Sequence, residues 1–311
     1  MTNEADEILV VGSVALDTVE TPFGRVEDVL GGSAVFFSAA ASVHARVGVV
    51  GVVGDDYPLA ALDFLDRGRV DLSGVEIREG KSFRWGGSYG YDLNTCRTLF
   101  TELGVFADFR PSIPARLRMA DWVFLANIDP RLQLEVLDQV ESPRFVACDT
   151  MNYWIDGQRE ALLSLLGHID MLLVNDGEAR QLSGDHNLAT AARWIQNRGP
   201  EHVVIKKGEH GALLFSGETI FSVPGFPLEE VYDPTGAGDA FAGGVLGHLA
   251  SEGSLETAVL KRAIVHGCAL GSFACEAFGP ERLGRLTVAE VGERVCLFRE
   301  LTAFDEAPVS G

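Results

Sequence analysis

The chain has 311 residues of which 47% are hydrophobic, enough to bury a large core and too many for a disordered body. Its formal net charge of −20, from 25 basic and 45 acidic residues with no basic cluster, argues against a nucleic-acid partner, because a polyanion requires grouped Lys and Arg. The longest apolar runs, such as 171–174 and 49–53, fall far short of the roughly 20 residues a membrane span needs.

The first residues, MTNEADEILVVGS, lack the basic region and apolar core of a signal peptide, so no membrane partner and a cytoplasmic location are expected. Residues 8–11 are a β-rich run closing on Gly12-Ser13, the pattern of a buried parallel strand and its turn. The sequence that follows lacks the second and third glycines of a dinucleotide fingerprint, which argues against a dehydrogenase. Asp17 sits in an alternating stretch with Val14, Leu16 and Val19, and on spacing alone reads as an exposed turn residue. Gly31-Gly32-Ser33-Ala34 opens into small and apolar residues through Ala41, predicting a glycine turn and a tightly packed helix with Ser33 as a candidate N-cap. Residues 46–53 predict a second buried strand.

Between 70 and 114 the segments shorten and aromatics increase. Phe83, Trp85, Tyr89 and Tyr91 fall on odd positions, which puts them on one face of a strand or of a hairpin around Gly86-Gly87. Such a face either stacks on a ligand or serves as a sheet-packing or dimer surface. Gly80-Lys81-Ser82 imitates the end of a Walker loop, but the required first glycine is Val75.

From 121 onward apolar strands (122–126, 145–148, 171–174, 203–206) alternate with amphipathic helices, as in a parallel sheet built from βαβ units. Polar residues follow the strand ends: Asn127 and Asp129, Asp149 and Asn152, Asn175 and Glu178. Open α/β sheets bind ligands at that edge. The run from Val203 through a glycine turn to Phe215 predicts two strands, and 255–277 and 287–301 predict two further helices.

Residues 233–249 carry the strongest signal. Asp-Pro-Thr-Gly-Ala-Gly-Asp precedes an apolar periodic segment, so a tight loop opens directly into a helix. The unpaired first-turn amides of such a helix bind anions, and Gly236, Ala237 and Gly238 let a phosphate approach them. Asp239, in the same turn, is poised to take a proton from an alcohol attacking that phosphate.

This stretch resembles the C-terminal signature of the PfkB, or ribokinase-like, carbohydrate kinases, Asp-x-x-Gly-Ala-Gly-Asp-x-Phe, matched by Asp233, Gly236, Ala237, Gly238, Asp239 and Phe241. The glycine pair 31–32 with its small-residue helix, and the strand ending at Gly54-Asp55, resemble the N-terminal signature. Phe36 and Phe37 replace the first-turn Asn of many members.

The resemblance covers roughly 8–301. It implies a three-layer α/β/α sandwich with a mostly parallel central sheet and a small β-sheet lid, contributed mainly by about 70–114 and part of 13–30. Residues 1–301 would form one kinase domain and 302–311 a flexible acidic tail. The implied reaction moves the γ-phosphoryl group of ATP to a hydroxyl of a sugar-like acceptor, with a nucleoside as the alternative and a non-catalytic ligand-binding relative as the less favoured one.

By resemblance Asp239 is the base, and Gly236, Ala237 and Gly238 form the anion hole. Asp17, Gly32, Ser33, Asn94, Asn127 and Asp149 hold the acceptor, while Asn175, Glu178, Lys206, Gly208, Gly211 and Thr235 serve ATP. Glu178 holds magnesium through water, and Asp233 lies near a monovalent cation, potassium in this family. Lid pairing into a homodimer is a further expectation. The cysteines, Cys96, Cys148, Cys268, Cys275 and Cys296, contain no Cys-x-x-Cys pair and read as reduced thiols.

Overall fold

The computed structural model describes residues 7–65 and 68–304, so the acidic tail lies almost wholly outside the described residues. The strands are β1 (Glu7–Val11), β2 (Ala15–Thr21), β3 (Gly24–Gly31), β4 (Arg46–Gly54), β5 (Val70–Arg78), β6 (Phe83–Tyr89), β7 (Cys96–Glu102), β8 (Trp122–Leu125), β9 (Phe145–Asp149), β10 (Met171–Asn175), β11 (His202–Lys206), β12 (Ala212–Ser216) and β13 (Thr219–Val223). The helices are α1 (Ser33–Ala41), α2 (Pro130–Leu137), α3 (Asn152–Gly157), α4 (Arg159–Leu166), α5 (Asp176–Ser183), α6 (Leu188–Gln196), α7 (Ala237–Glu252), α8 (Thr257–Ala274), α9 (Glu281–Gly284) and α10 (Val288–Thr302).

Strands β1, β4 and β8–β11 are near-continuous Val, Ile and Leu runs because both their faces are covered. They join β5, β12 and β13 in a nine-stranded sheet of order β13-β12-β11-β10-β9-β8-β1-β4-β5, parallel throughout except for β12 and β13. One core packs α1, α7 and α8 onto one face, where Phe37 stacks on Phe124 at 4.2 Å; a second core packs α2, α4, α5 and α6 onto the other. This is the expected three-layer sandwich.

A second sheet of order β3-β2-β6-β7 forms the lid. Its composition corrects two expectations. The segment from residue 70 does not begin the lid: β5 pairs in parallel with β4 as an edge of the main sheet. Nor does a hairpin turn at Gly86-Gly87; β6 runs straight through them and pairs with β7, so the turn lies between Tyr89 and Cys96. Side chains are lacking there because Trp85 folds over Gly87 and Phe100 over Gly86, where any Cβ would collide with the rings. On the odd face Phe83 stacks on Phe106 of the body at 5.3 Å, whereas Tyr91 lies beyond the strand and is 88% exposed.

Ser33 is the first residue of α1, not its N-cap; the cap position is Gly32, at φ +96°. The Ser33 and Ser13 hydroxyls meet at 3.1 Å, and each accepts from the other's backbone amide, at 3.2 Å and 3.0 Å, so the turn after β1 is fastened to the helix start. A Cβ on Gly32 would lie 2.5 Å from the Ser13 carbonyl oxygen in a conformation that L residues avoid. Gly32→Ala is therefore expected to cost about 2 kcal/mol or more, read as a lower denaturant midpoint; an unchanged midpoint contradicts this.

Candidate active site

The C-terminal ends of β9, β10 and β11 meet the start of α7 and the underside of the lid. Gly236 is the N-cap of α7 at φ +73°, and a Cβ there would fall into the buried Phe36 ring. The residue that replaces a polar side chain in α1 is thus the floor of the glycine loop. The Ala237 amide donates to the Pro234 carbonyl oxygen at 3.1 Å, which removes it from the expected anion hole. Among the described residues the amides of Gly236, Gly238 and Asp239 donate to no protein acceptor. Three free donors at the positive end of a 16-residue helix are the chemistry an anion requires.

Sheet register explains the side chains facing this site. Asp149 of β9 lies opposite Leu173 of β10, and Asn175 of β10 opposite Lys206 of β11. Lys206 Nζ reaches across β10 to Asp149 Oδ2 at 2.8 Å, and a Cβ on Gly238 would lie 3.2 Å from Nζ. Lys206 therefore sits at the loop as an ion-paired, half-buried ammonium. Burial alone would lower its pKa, but Asp149 and Glu178 outweigh that and hold it above the usual lysine range. Glu178 and Asn175 form a capping box at the start of α5, the Asn175 side chain accepting from the Glu178 amide and Glu178 Oε2 from the Asn175 amide, both at 2.8 Å. Burial pushes Glu178 up to about 7, with Lys206 pulling down and Asp149 pushing up.

Asp239 is likewise raised to about 7, mainly by burial and further by Asp149, with Lys206 opposing. Asp17, on β2, is raised to about 7 by burial against the pull of the Gly32 amide, with Asp233 and Asp239 adding to the rise. It is not the exposed turn residue its spacing suggests. Two half-buried carboxylates raised to about 7 beside one ammonium, with buried Asp17 raised as far, mark a functional site more often than a structural one.

Other expected site residues are placed differently. Asn127 Oδ1 accepts from Trp154 Nε1 at 3.0 Å, which ties its side chain to α3. Asn94, in the lid turn, donates to Glu209 Oε1 at 3.0 Å, beside Gly208, and lies at the 208–211 turn instead of with Asp17. Asp149 is held by Lys206 and by the Thr150 amide at 2.8 Å, so it belongs with the anion loop. Gly208 and Gly211, at φ +55° and +84°, bracket a single turn of 3-10 helix between β11 and β12.

Asp233 is 1% exposed; Oδ1 accepts from the Thr235 amide at 2.8 Å and Oδ2 has no hydrogen-bond partner among the described residues. Burial raises its pKa against that amide.

Sequence reasoning missed two contributors, and one contact of a residue it did name. Gln133 donates to the carbonyl oxygens of Ala126 (2.8 Å) and Asp149 (3.1 Å), bracing the ends of β8 and β9. Tyr57 buries a hydroxyl without a partner among the described residues, close enough to Asp17 to feel its charge. Thr235 Oγ1 donates to Tyr89 Oη at 3.1 Å. Only the odd-position pattern of the lid aromatics pointed toward the last.

Residues 5–282 match the sequence profile of the pfkB family of carbohydrate kinases. Over 246 residues the chain is 32% identical to the cytidine kinase of Thermococcus kodakarensis, covering 77% of this chain and 87% of that one. The fold is similar to the aminoimidazole riboside kinase of Salmonella enterica complexed with aminoimidazole riboside and an ATP analogue (TM-score 0.73, 21% identity, 93% and 99% of the two chains). It is also similar to a Vibrio cholerae fructokinase double mutant bound to fructose, ADP and potassium (TM-score 0.73, 17% identity, 95% and 100%).

Proposed function

The chain belongs to the pfkB family of carbohydrate kinases, and from that premise we propose that it transfers the γ-phosphoryl group of ATP to a hydroxyl of a small sugar-like acceptor, with Asp239 as the base. The observation that carries the assignment is the Asp239 carboxylate, raised to about 7 mainly by desolvation, in the loop and first turn whose Gly236, Gly238 and Asp239 amides face no protein acceptor. An alcohol held beside Asp239 gives its proton to the carboxylate as its oxygen bonds to phosphorus. The bond from phosphorus to the ADP oxygen breaks, and ADP leaves with that electron pair. The Gly236, Gly238 and Asp239 amides and Lys206 stabilise the charge on the transferring oxygens. Asp17, with the Tyr57 hydroxyl, orients the acceptor.

Magnesium, when bound with ATP, neutralises phosphate charge. Among the described residues no three acidic, histidine or cysteine side chains converge to hold a metal by themselves. Asp149, Glu178 and Asp239 share a single ammonium, which suits a cation carried on phosphate oxygens and water and steadied by Glu178. The orphaned Asp233 Oδ2 is the corresponding feature for a monovalent cation, potassium by analogy with the fructokinase.

A nucleoside acceptor is the second reading, favoured by the cytidine kinase likeness and by Trp85, which lies opposite Asp17 in the β2–β6 register. A phosphorylated sugar is disfavoured because Arg84 is already held by Asp28 and Asp56, at 3.1 and 2.8 Å. The edge strand β7, exposed along its whole length, is the surface for a lid-paired homodimer; a monomer by sedimentation would count against it.

ADP release measured against a panel of sugars and nucleosides, in potassium and in sodium buffer, tests the assignment. An acceptor-dependent rate, higher in potassium, is expected. Silence across the panel, with nucleotide bound, would return the chain to a ligand-binding role.

A further inference from the structure

The lid turn does more than roof the acceptor. Tyr89, at the end of β6, meets Thr235 Oγ1 at 3.1 Å, immediately before the glycine loop, and Asn94 Nδ2 donates to Glu209 Oε1 at 3.0 Å in the 208–211 turn. The two anchors stand on different elements of the C-terminal half, one following β11 and one preceding α7. Gly208 takes φ +55°, and a Cβ there would come within 2.7 Å of Asn94 Oδ1, so the turn is shaped to receive the asparagine. The Asn94 amide also donates to the Asp92 carbonyl oxygen at 3.0 Å, which holds the side chain in its reach. Thr235 in turn donates its backbone amide to Asp233, so a pull on Thr235 acts on the loop that carries the free amides.

We propose that Tyr89 and Asn94 are positioning residues that latch the lid turn to both phosphate-side loops, so that nucleotide binding orders the lid and lid closure orders the glycine loop. The inference rests on the phosphoryl-transfer reading of those loops. Each link is a single side-chain hydrogen bond, Asn94 and Glu209 lie at the surface, and exposed bonds of this kind open and close readily. Coupling between two sites is reciprocal, so a nucleotide that favours the latched arrangement must also favour a closed lid. Neither residue touches a reacting atom in this scheme; Tyr89 acts through Thr235 and Asn94 through Glu209.

Hydrogen exchange on the full chain with and without the non-hydrolysable analogue AMP-PNP and magnesium tests this. In the wild type, AMP-PNP is expected to slow exchange at 206–211 and 233–239, and also to slow it about fivefold or more at 88–97. In the Tyr89→Phe/Asn94→Ala double variant the two loops should still be protected while 88–97 returns to its ligand-free rate. Asn94→Asp, which sets two carboxylates against each other, should lose the lid protection alone, and Asn94→Asp/Glu209→Gln should restore it by remaking a carboxylate–amide bond. A purely structural role for Asn94 predicts no such rescue. Protection of the loops without the lid in wild type, or unchanged lid protection in the double variant, overturns the latch and leaves the nucleotide site standing. Absence of protection anywhere overturns the nucleotide site and the latch with it.

Discussion

Asp239→Asn is expected to lower kcat by about 100-fold or more while nucleotide binding is kept. The amide fills the same volume at the start of α7 but cannot accept the acceptor's proton. Retention of more than about a tenth of kcat would remove Asp239 as the base. The same substitution is expected to stabilise the fold. Burial holds this carboxyl at about 7, well above its ordinary value near 3.8, so its charged form is disfavoured in the folded protein. Stability therefore falls as pH rises from about 4 to about 7 and stays low above that. Relative to wild type, Asp239→Asn should raise Tm at pH 8 by about 4 °C or more, a gain that vanishes near pH 4. A Tm gain at pH 8 with a lost kcat distinguishes a strained functional carboxylate from a structural one.

Lys206→Ala is expected to have the second large effect. In the Lys206–Asp149 pair the carboxylate is buried and the ammonium half-buried, with side-chain exposures of 6% and 16%. Removing one partner strands the other charge away from water, a loss of about 3 kcal/mol or more measured by chemical denaturation. Lys206 is also the cation that lowers both Asp239 and Glu178. Without it both carboxyls rise further, so the acid limb of the pH–rate profile, where protonation removes the base, should move to higher pH. Activity at pH 7 should fall by about tenfold or more, through the lost charge on the transferring group and the smaller fraction of ionised base. A variant of wild-type stability with an unmoved pH profile would contradict the role assigned to this pair.

Much of the scaffold was legible because its signals are local. Strands such as β1, β4 and β10 are near-continuous apolar runs, as strands covered on both faces are, and the 233–241 loop announces a helix start by glycines and an acid at fixed spacing. What escaped depends on pairing across distance. Nothing near Val70 distinguishes an edge strand of the main sheet from a lid strand; that is decided by β4 lying open beside it. The Asp149–Lys206 bond arises from register across β10, 57 residues apart in sequence. Asn94 looked like an acceptor ligand because it belongs to the lid, yet the turn carries it 115 residues along the chain to Glu209. Ser33 looked like a cap because serine caps helices well, but Ser13 offered it a partner that only the turn after β1 brings close. Asn175 and Glu178 form a capping box that leaves Glu178 beside Lys206, so a cap and a candidate site residue are the same side chain.

The most direct test of the central claim is phosphorus NMR of the reaction with the acceptor that gives the highest ADP release. A phosphomonoester on a carbon-bound oxygen of the acceptor, formed in equal amount to ADP and absent with Asp239→Asn, is the predicted result. Inorganic phosphate in place of the ester, or an ester formed equally well by Asp239→Asn, would contradict it.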